Sequence, residues 1–131
     1  MDLKQLDTKQ RSNEGVMMDI VYPGSGEATG VRIRVAGIDS DRFNEFARQR
    51  SKQAVQHAAS GGKKEEDSED YAVDLLAACT IDWEGVEYDG QELECTRENA
   101  KWVYTEFPAI RRQVNRFIMQ ERNFLSLSPE A

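Results

Sequence analysis

The sequence predicts an α+β fold, an N-terminal β-hairpin followed by about four helices in a single domain. Three observations carry this. Val31, Ile33 and Val35 alternate with Arg32 and Arg34, the period-two pattern of a strand with one wet face. From residue 39 onward apolar residues recur three and four apart, as on a helix with one buried face. The length, 131 residues, suits one domain. A chain of that size buries about two-thirds of its unfolded surface and needs no metal or disulfide to fold.

In chain order, residues 2–12 have only Leu3 and Leu6 as apolar anchors and read either as a short polar helix or as frayed, with 1–15 expected to be a loose end. Val16 to Tyr22 reads as a strand with Val16, Met18, Ile20 and Tyr22 on one face, and Val31 to Ala36 as its partner. The Gly- and Pro-rich stretch Pro23 to Gly30 makes the hairpin loop. With Asp39 as N-cap, Ile38 and Phe43 have the spacing of a hydrophobic staple. The helix they open carries Phe43, Phe46, Ala47, Ala54 and Ala58 as its stripe and ends near Ala59, before Ser60-Gly61-Gly62. Residues 60–69 are expected to be a flexible charged loop, with Ser68 capping a short helix buried through Tyr71, Ala72, Leu75, Leu76 and Cys79. Ile81 to Cys95 is turn-rich, with room for a small hairpin. Thr96 then caps a helix with the stripe Ala100, Val103, Tyr104 and Phe107. Pro108 suits the first position of the last helix, which shows Ile110, Val114, Phe117, Ile118 and Leu125 on one face. Residues 126–131 are expected to be a loose end.

Hydrophobic residues are 39% and charged residues 31% of the chain, a polar but globular balance. No apolar run reaches the roughly 18 residues of a membrane span, and the polar start Met1 to Gly15 does not read as a signal peptide. These features imply a cytoplasmic protein without a membrane partner. The formal net charge of -7 argues against nucleic acid as a ligand. The charge is uneven: Glu65 to Glu98 holds 13 acids against Arg97 alone, while Pro108 to Leu125 holds Arg111, Arg112, Arg116 and Arg122 against Glu121. Solvated faces explain such runs; attraction between copies of the chain is the other reading.

Signals of catalysis are sparse, and the chain reads as a non-enzyme with no cofactor and no metal. His57 is the sole histidine, whereas zinc sites take three or four ligands. Cys79 and Cys95 lie among apolar residues and read as small hydrophobes rather than a disulfide in a reducing compartment. The glycines at 24, 26 and 30 lie between strands rather than before a helix, so no phosphate loop follows. Two side chains fall off their helices' core stripes and point toward solvent or a partner, Trp102 and Met119. For Trp102 the competing reading is that it packs under Ile81 to Cys95. Arg112 and Arg116 complete the candidate partner-binding set on the last helix.

The order Ile81-Asp82-Trp83-Glu84-Gly85-Val86, then Gly90, Leu93, Thr96, Asn99-Ala100, and Phe107-Pro108-Ala109-Ile110 followed by Val114, resembles the tail assembly chaperones of long-tailed (siphovirus-type) bacteriophages. The resemblance covers roughly residues 71 to 125. In that family a Trp-x-Gly turn leads to a Gly-containing loop, a capped helix carrying Asn, and a Pro-initiated helix. Where family members often have an aromatic before the cap, this chain has Cys95. In physical terms, Gly85 and Gly90 permit turn geometry closed to other residues, Trp83 covers the seam between the short helix and the helices after Thr96, and Thr96 accepts the backbone amide of Asn99. The resemblance implies a non-catalytic protein of the host cell cytoplasm, absent from the mature virion. It would coat the tape measure protein, self-associate and help recruit the tail tube protein, in some members through a frameshift-extended form. The alternative is a small head–tail or tail-completion protein retained in the virion.

Overall fold

The computed structural model describes residues 1–59 and 68–125. Val16–Val21 (β1) and Ala28–Val35 (β2) form the expected antiparallel hairpin. β2 begins before the alternation at Val31 sets in. The Thr29 hydroxyl donates to the Ile20 carbonyl (2.8 Å) and holds the pairing together toward the tip. The sheet has a third strand. Thr80–Glu84 (β3) pairs antiparallel with β2, which is therefore central. In register, Ile33 lies between Met18 and Trp83, and all three are buried. On the opposite face Arg32 reaches Asp19 (3.2 Å) and Glu84 (3.1 Å), one cation spanning both neighbouring strands. The small hairpin foreseen within Ile81 to Cys95 is present as Glu87–Tyr88 (β4) and Gln91–Glu92 (β5). Its two-residue turn is Asp89-Gly90, both at positive φ (54° and 77°), which suits the right-handed twist of paired strands.

Among the described residues there are five α-helices: Lys9–Glu14 (α1), Asp41–Ala59 (α2), Ser68–Cys79 (α3), Arg97–Glu106 (α4) and Pro108–Met119 (α5). α3 is the centre of the helical layer. Val73 and every residue from Leu75 to Thr80 are buried, and the helix packs against α2, α4 and α5. Its burial nearly all round is what an apolar core helix requires. Asp74 joins the layer laterally, receiving Arg50 of α2 and Lys101 of α4, each at 3.0 Å. Burial opposes its charge, but the hydrogen bonds from Lys101 and Arg50 prevail and hold its pKa below the ordinary carboxylate value.

Several expectations need correction. Residues 1–15 are not a loose end throughout: α1 is docked through polar and backbone contacts that a search for apolar anchors misses. Arg11 donates to the Leu125 carbonyl (3.0 Å), the Asp41 amide to Asn13 (2.7 Å) and the Gly37 amide to the Ser12 carbonyl (3.2 Å). The cap of α2 is Ser40 rather than Asp39. The buried Ser40 hydroxyl donates to the Gly37 carbonyl (2.6 Å) and accepts the Phe43 amide (3.1 Å), while the Asp39 carboxylate is taken by the Thr8 hydroxyl. The staple register is lost, although Ile38 and Phe43 still pack against the core. Ala54, expected in the stripe of α2, is exposed, as is everything described from Ser51 to Gln56. The last helix stops at Met119. Gln120 is extended, and a 3-10 turn over Glu121–Phe124 folds Phe124 back into the core. Leu125 therefore belongs to no helix face. The charged stretch 60–67 and the end 126–131 lie outside the described residues, as do the side chains of His57, Ala58 and Ser68. Ser68 and Glu69, expected to close that loop, belong to the first turn of α3.

Candidate functional site

The residues that carry the family resemblance come together. Trp83 is buried on β3, and its indole N–H donates to the Leu93 carbonyl (2.8 Å). That bond fastens the chain leaving the β4–β5 hairpin to the sheet. Gly85 has φ +76°, and a Cβ there would press into the Gly30 carbonyl oxygen, so the turn after β3 needs glycine twice over. Gly90 supplies the hairpin turn. The Thr96 hydroxyl accepts the Asn99 amide (3.1 Å), as the cap pattern requires, and the Asn99 side chain donates back to the Glu94 carbonyl (2.8 Å). Pro108 is the first residue of α5. Behind these, the Tyr104 hydroxyl shares a hydrogen bond with the Thr80 hydroxyl (2.6 Å), which itself donates to Leu76. Burial raises the Tyr104 pKa, so this pair is a neutral core contact.

Part of the surface over this motif is aromatic. Trp102 is half-buried: its ring meets Tyr88 edge-on at 5.0 Å and Phe107 at 5.6 Å. The residue thus packs under the β4–β5 hairpin and is not a free outward anchor. Tyr88 and Phe107 are the outward members, 50% and 37% exposed. Phe107, expected in the core stripe of α4, sits at that helix's C-cap, where the chain turns into α5 and leaves the ring at the surface. Beside the three rings lies a cleft of about 170 Å³ whose walls include Val31, Val86, Leu93, Trp102, Phe107 and Ile110. Aromatic rings at a desolvated groove are the usual anchors of protein association. Tyr88 escapes the sequence reading because a tyrosine in a turn-rich segment has no helical stripe to be measured against.

The other candidate residues form a separate face. Arg112, Arg116 and Met119 are all exposed on α5 and, at i, i+4 and i+7, share one side of it. Met119 is 46% exposed. Met119 lies at the far end of α5 from Phe107, about 18 Å along the helix. The structure therefore does not join Trp102 and Met119 into one patch.

Chemistry elsewhere is muted. Burial pushes the Cys79 thiol up to about 12 and the Cys95 thiol up to about 11, the reverse of what a nucleophile needs. Among the described residues no cluster of three or more His, Cys, Asp or Glu could hold a metal ion, and no helix is long and apolar enough to cross a membrane. A larger open hollow of about 440 Å³ beside α2 and the start of α4 has walls of mixed character, with Arg42, Glu45, Arg50 and Arg97 beside Phe46 and Ala78. Comparison with known proteins finds no family model, no curated protein and no solved structure that matches this chain.

Proposed function

We propose that this chain is a non-catalytic tail assembly chaperone of a long-tailed phage, which binds the tape measure protein in the host cytoplasm, helps recruit tail tube subunits and leaves before the virion is complete. One observation carries the reading: an aromatic surface of Tyr88, Trp102 and Phe107 stands beside an apolar cleft, within the stretch of roughly residues 71 to 125 that resembles the family. A chaperone for a long helical client needs apolar surface that its own core does not consume, and this is such a surface. The solvent face of α5, with one methionine after two arginines, has too little apolar area to act alone.

The test is capture of the tape measure protein by the tagged chain during tail assembly, together with the protein content of purified particles. The chaperone reading expects capture and absence from particles. A chain that persists in the particles is instead a head–tail or tail-completion component. Tyr88→Ala with Phe107→Ala should weaken capture by about 30-fold, the loss typical of truncated interface anchors. Because both rings also pack on Trp102, the thermal transition should fall modestly, and capture is compared well below it. Undiminished capture by this variant, with loss in Arg112→Glu plus Met119→Ala, would move the client to α5.

A further inference from the structure

The open hollow beside α2 and the start of α4 gathers cations that the fold leaves unanswered. Arg42 of α2 and Arg97 of α4 stand on its walls, and both are exposed. Among the described residues neither has an ion pair. Arg42 makes one long hydrogen bond, to the Ala78 carbonyl at 3.4 Å. Arg97 is the first residue of α4, the end of a helix that a cation does not stabilise, so its charge is not there to steady the helix. Burial raises the pKa of the Cys79 thiol and both guanidiniums act against that rise, which puts the two within electrostatic reach of one point. The third arginine of the hollow, Arg50, is already engaged, by Asp74 at 3.0 Å and over the Phe46 ring at 5.3 Å. The carboxylate in the wall, Glu45, is engaged on its own helix through both oxygens, by Arg48 (2.8 Å) and Gln49 (3.0 Å).

We infer that this hollow binds a short acidic segment of a partner protein, whose carboxylates are received by Arg42 and Arg97. A guanidinium is the donor best matched to a carboxylate, because its fork meets both oxygens at once. The size and walls of the hollow choose among anions. Its 440 Å³ is room for several acidic side chains and far more than one phosphate group fills. Phe46 and Ala78 give it apolar wall that suits the methylene stems of a peptide rather than a bare ion. A nucleic acid is disfavoured, since its backbone would run on past the hollow over Asp41, Glu94 and Glu98, all exposed and close in the chain to the two arginines, on a protein of net charge -7. A short segment meets the arginines without meeting those acids. Arg97 and Phe107 stand at opposite ends of α4, about 15 Å apart along the helix. The hollow is therefore separate from the aromatic cleft, and the inference does not depend on the client-binding reading.

The probe is a fluorescein-labelled oligoglutamate peptide flanked by glycines, compared with its oligoglutamine counterpart, with binding read by anisotropy on the full chain. The glutamate peptide should bind, more weakly as salt rises, and the glutamine peptide should not. Arg42→Gln with Arg97→Gln should weaken binding by about tenfold or more. Both side chains are exposed, so the thermal transition of this variant should stay near that of the wild type, which separates lost binding from lost folding. Arg112→Gln with Arg116→Gln, which removes equal charge from α5, should bind as wild type does, and so should Tyr88→Ala with Phe107→Ala at the aromatic surface. Failure of the glutamate peptide to bind, equal binding of the glutamine peptide, or equal loss in the α5 variant overturns the proposal. If inorganic phosphate displaces the peptide more readily than unlabelled oligoglutamate does, the hollow is a phosphate site and the proposal falls. It falls also if the chain alone self-associates and Arg42→Gln with Arg97→Gln abolishes that, because the occupant is then the acidic surface of a second copy.

Discussion

Trp83→Ala is expected to destabilise the chain by about 3–5 kcal/mol, a large share of what a domain of this size possesses. The side chain is in register with Ile33 on the central strand, so its removal opens a cavity between the sheet and the helices. It also strands the Leu93 carbonyl, which accepts the indole N–H. Chemical denaturation followed by far-UV circular dichroism measures the loss. Trp83→Phe should cost less, since it fills most of the volume and forfeits only the hydrogen bond. An alanine variant as stable as wild type would place Trp83 outside the core and remove the physical basis of the Trp-x-Gly motif.

Phe124→Ala should have a comparable effect, again about 3–5 kcal/mol. The ring is 1% exposed and meets Phe117 edge-on at 5.7 Å. Next to it, a Cβ added at Gly37 would approach the Phe124 ring at 3.0 Å, so the site is full. The 3-10 turn that carries Phe124 also contacts α1. The variant should therefore release the N-terminal segment as well: amides of α1 and Gly15 should exchange with solvent faster than those of α3. Uniform protection across α1 and α3, with unchanged stability, would show that the chain beyond Met119 is an appendage.

How much of this was legible in the sequence depends on where the determining contact lies. The hairpin, the Thr96 cap and the Pro108 start are local patterns, each decided within a few residues, and they read directly. β3 was not legible because a register irregularity opposite Arg34 and Val35 puts Thr80 inside and interrupts the alternation that would announce a strand. Leu125 is placed on a helix face, and Phe124 goes unread, because the helical period is continued through Gln120, where the backbone turns extended. A short polar helix before Gly15 is one of the two readings the sequence allows, but its docking is not legible, because its anchors are a guanidinium, an amide and backbone groups meeting residues far along the chain. At the candidate site the off-stripe position of Trp102 pointed to something outside its helix, and that something is partly Tyr88, fourteen residues earlier on another element. Helical spacing locates a side chain around its own axis. It does not say which distant residue arrives to meet it.

The side chain of Gln113 has a consequence for keeping the protein apart from its neighbours. Its amide accepts the Val21 N–H and donates to the Val21 carbonyl, both at 2.9 Å. β1 is an outer strand of the sheet, and these two backbone groups face away from β2. An open strand flank is a template on which a second chain can be laid down. Gln113 imitates one residue of the missing strand and cannot be extended into a second. It closes the flank at that point with a group belonging to α5, so the sheet's boundary is defended by the helical layer.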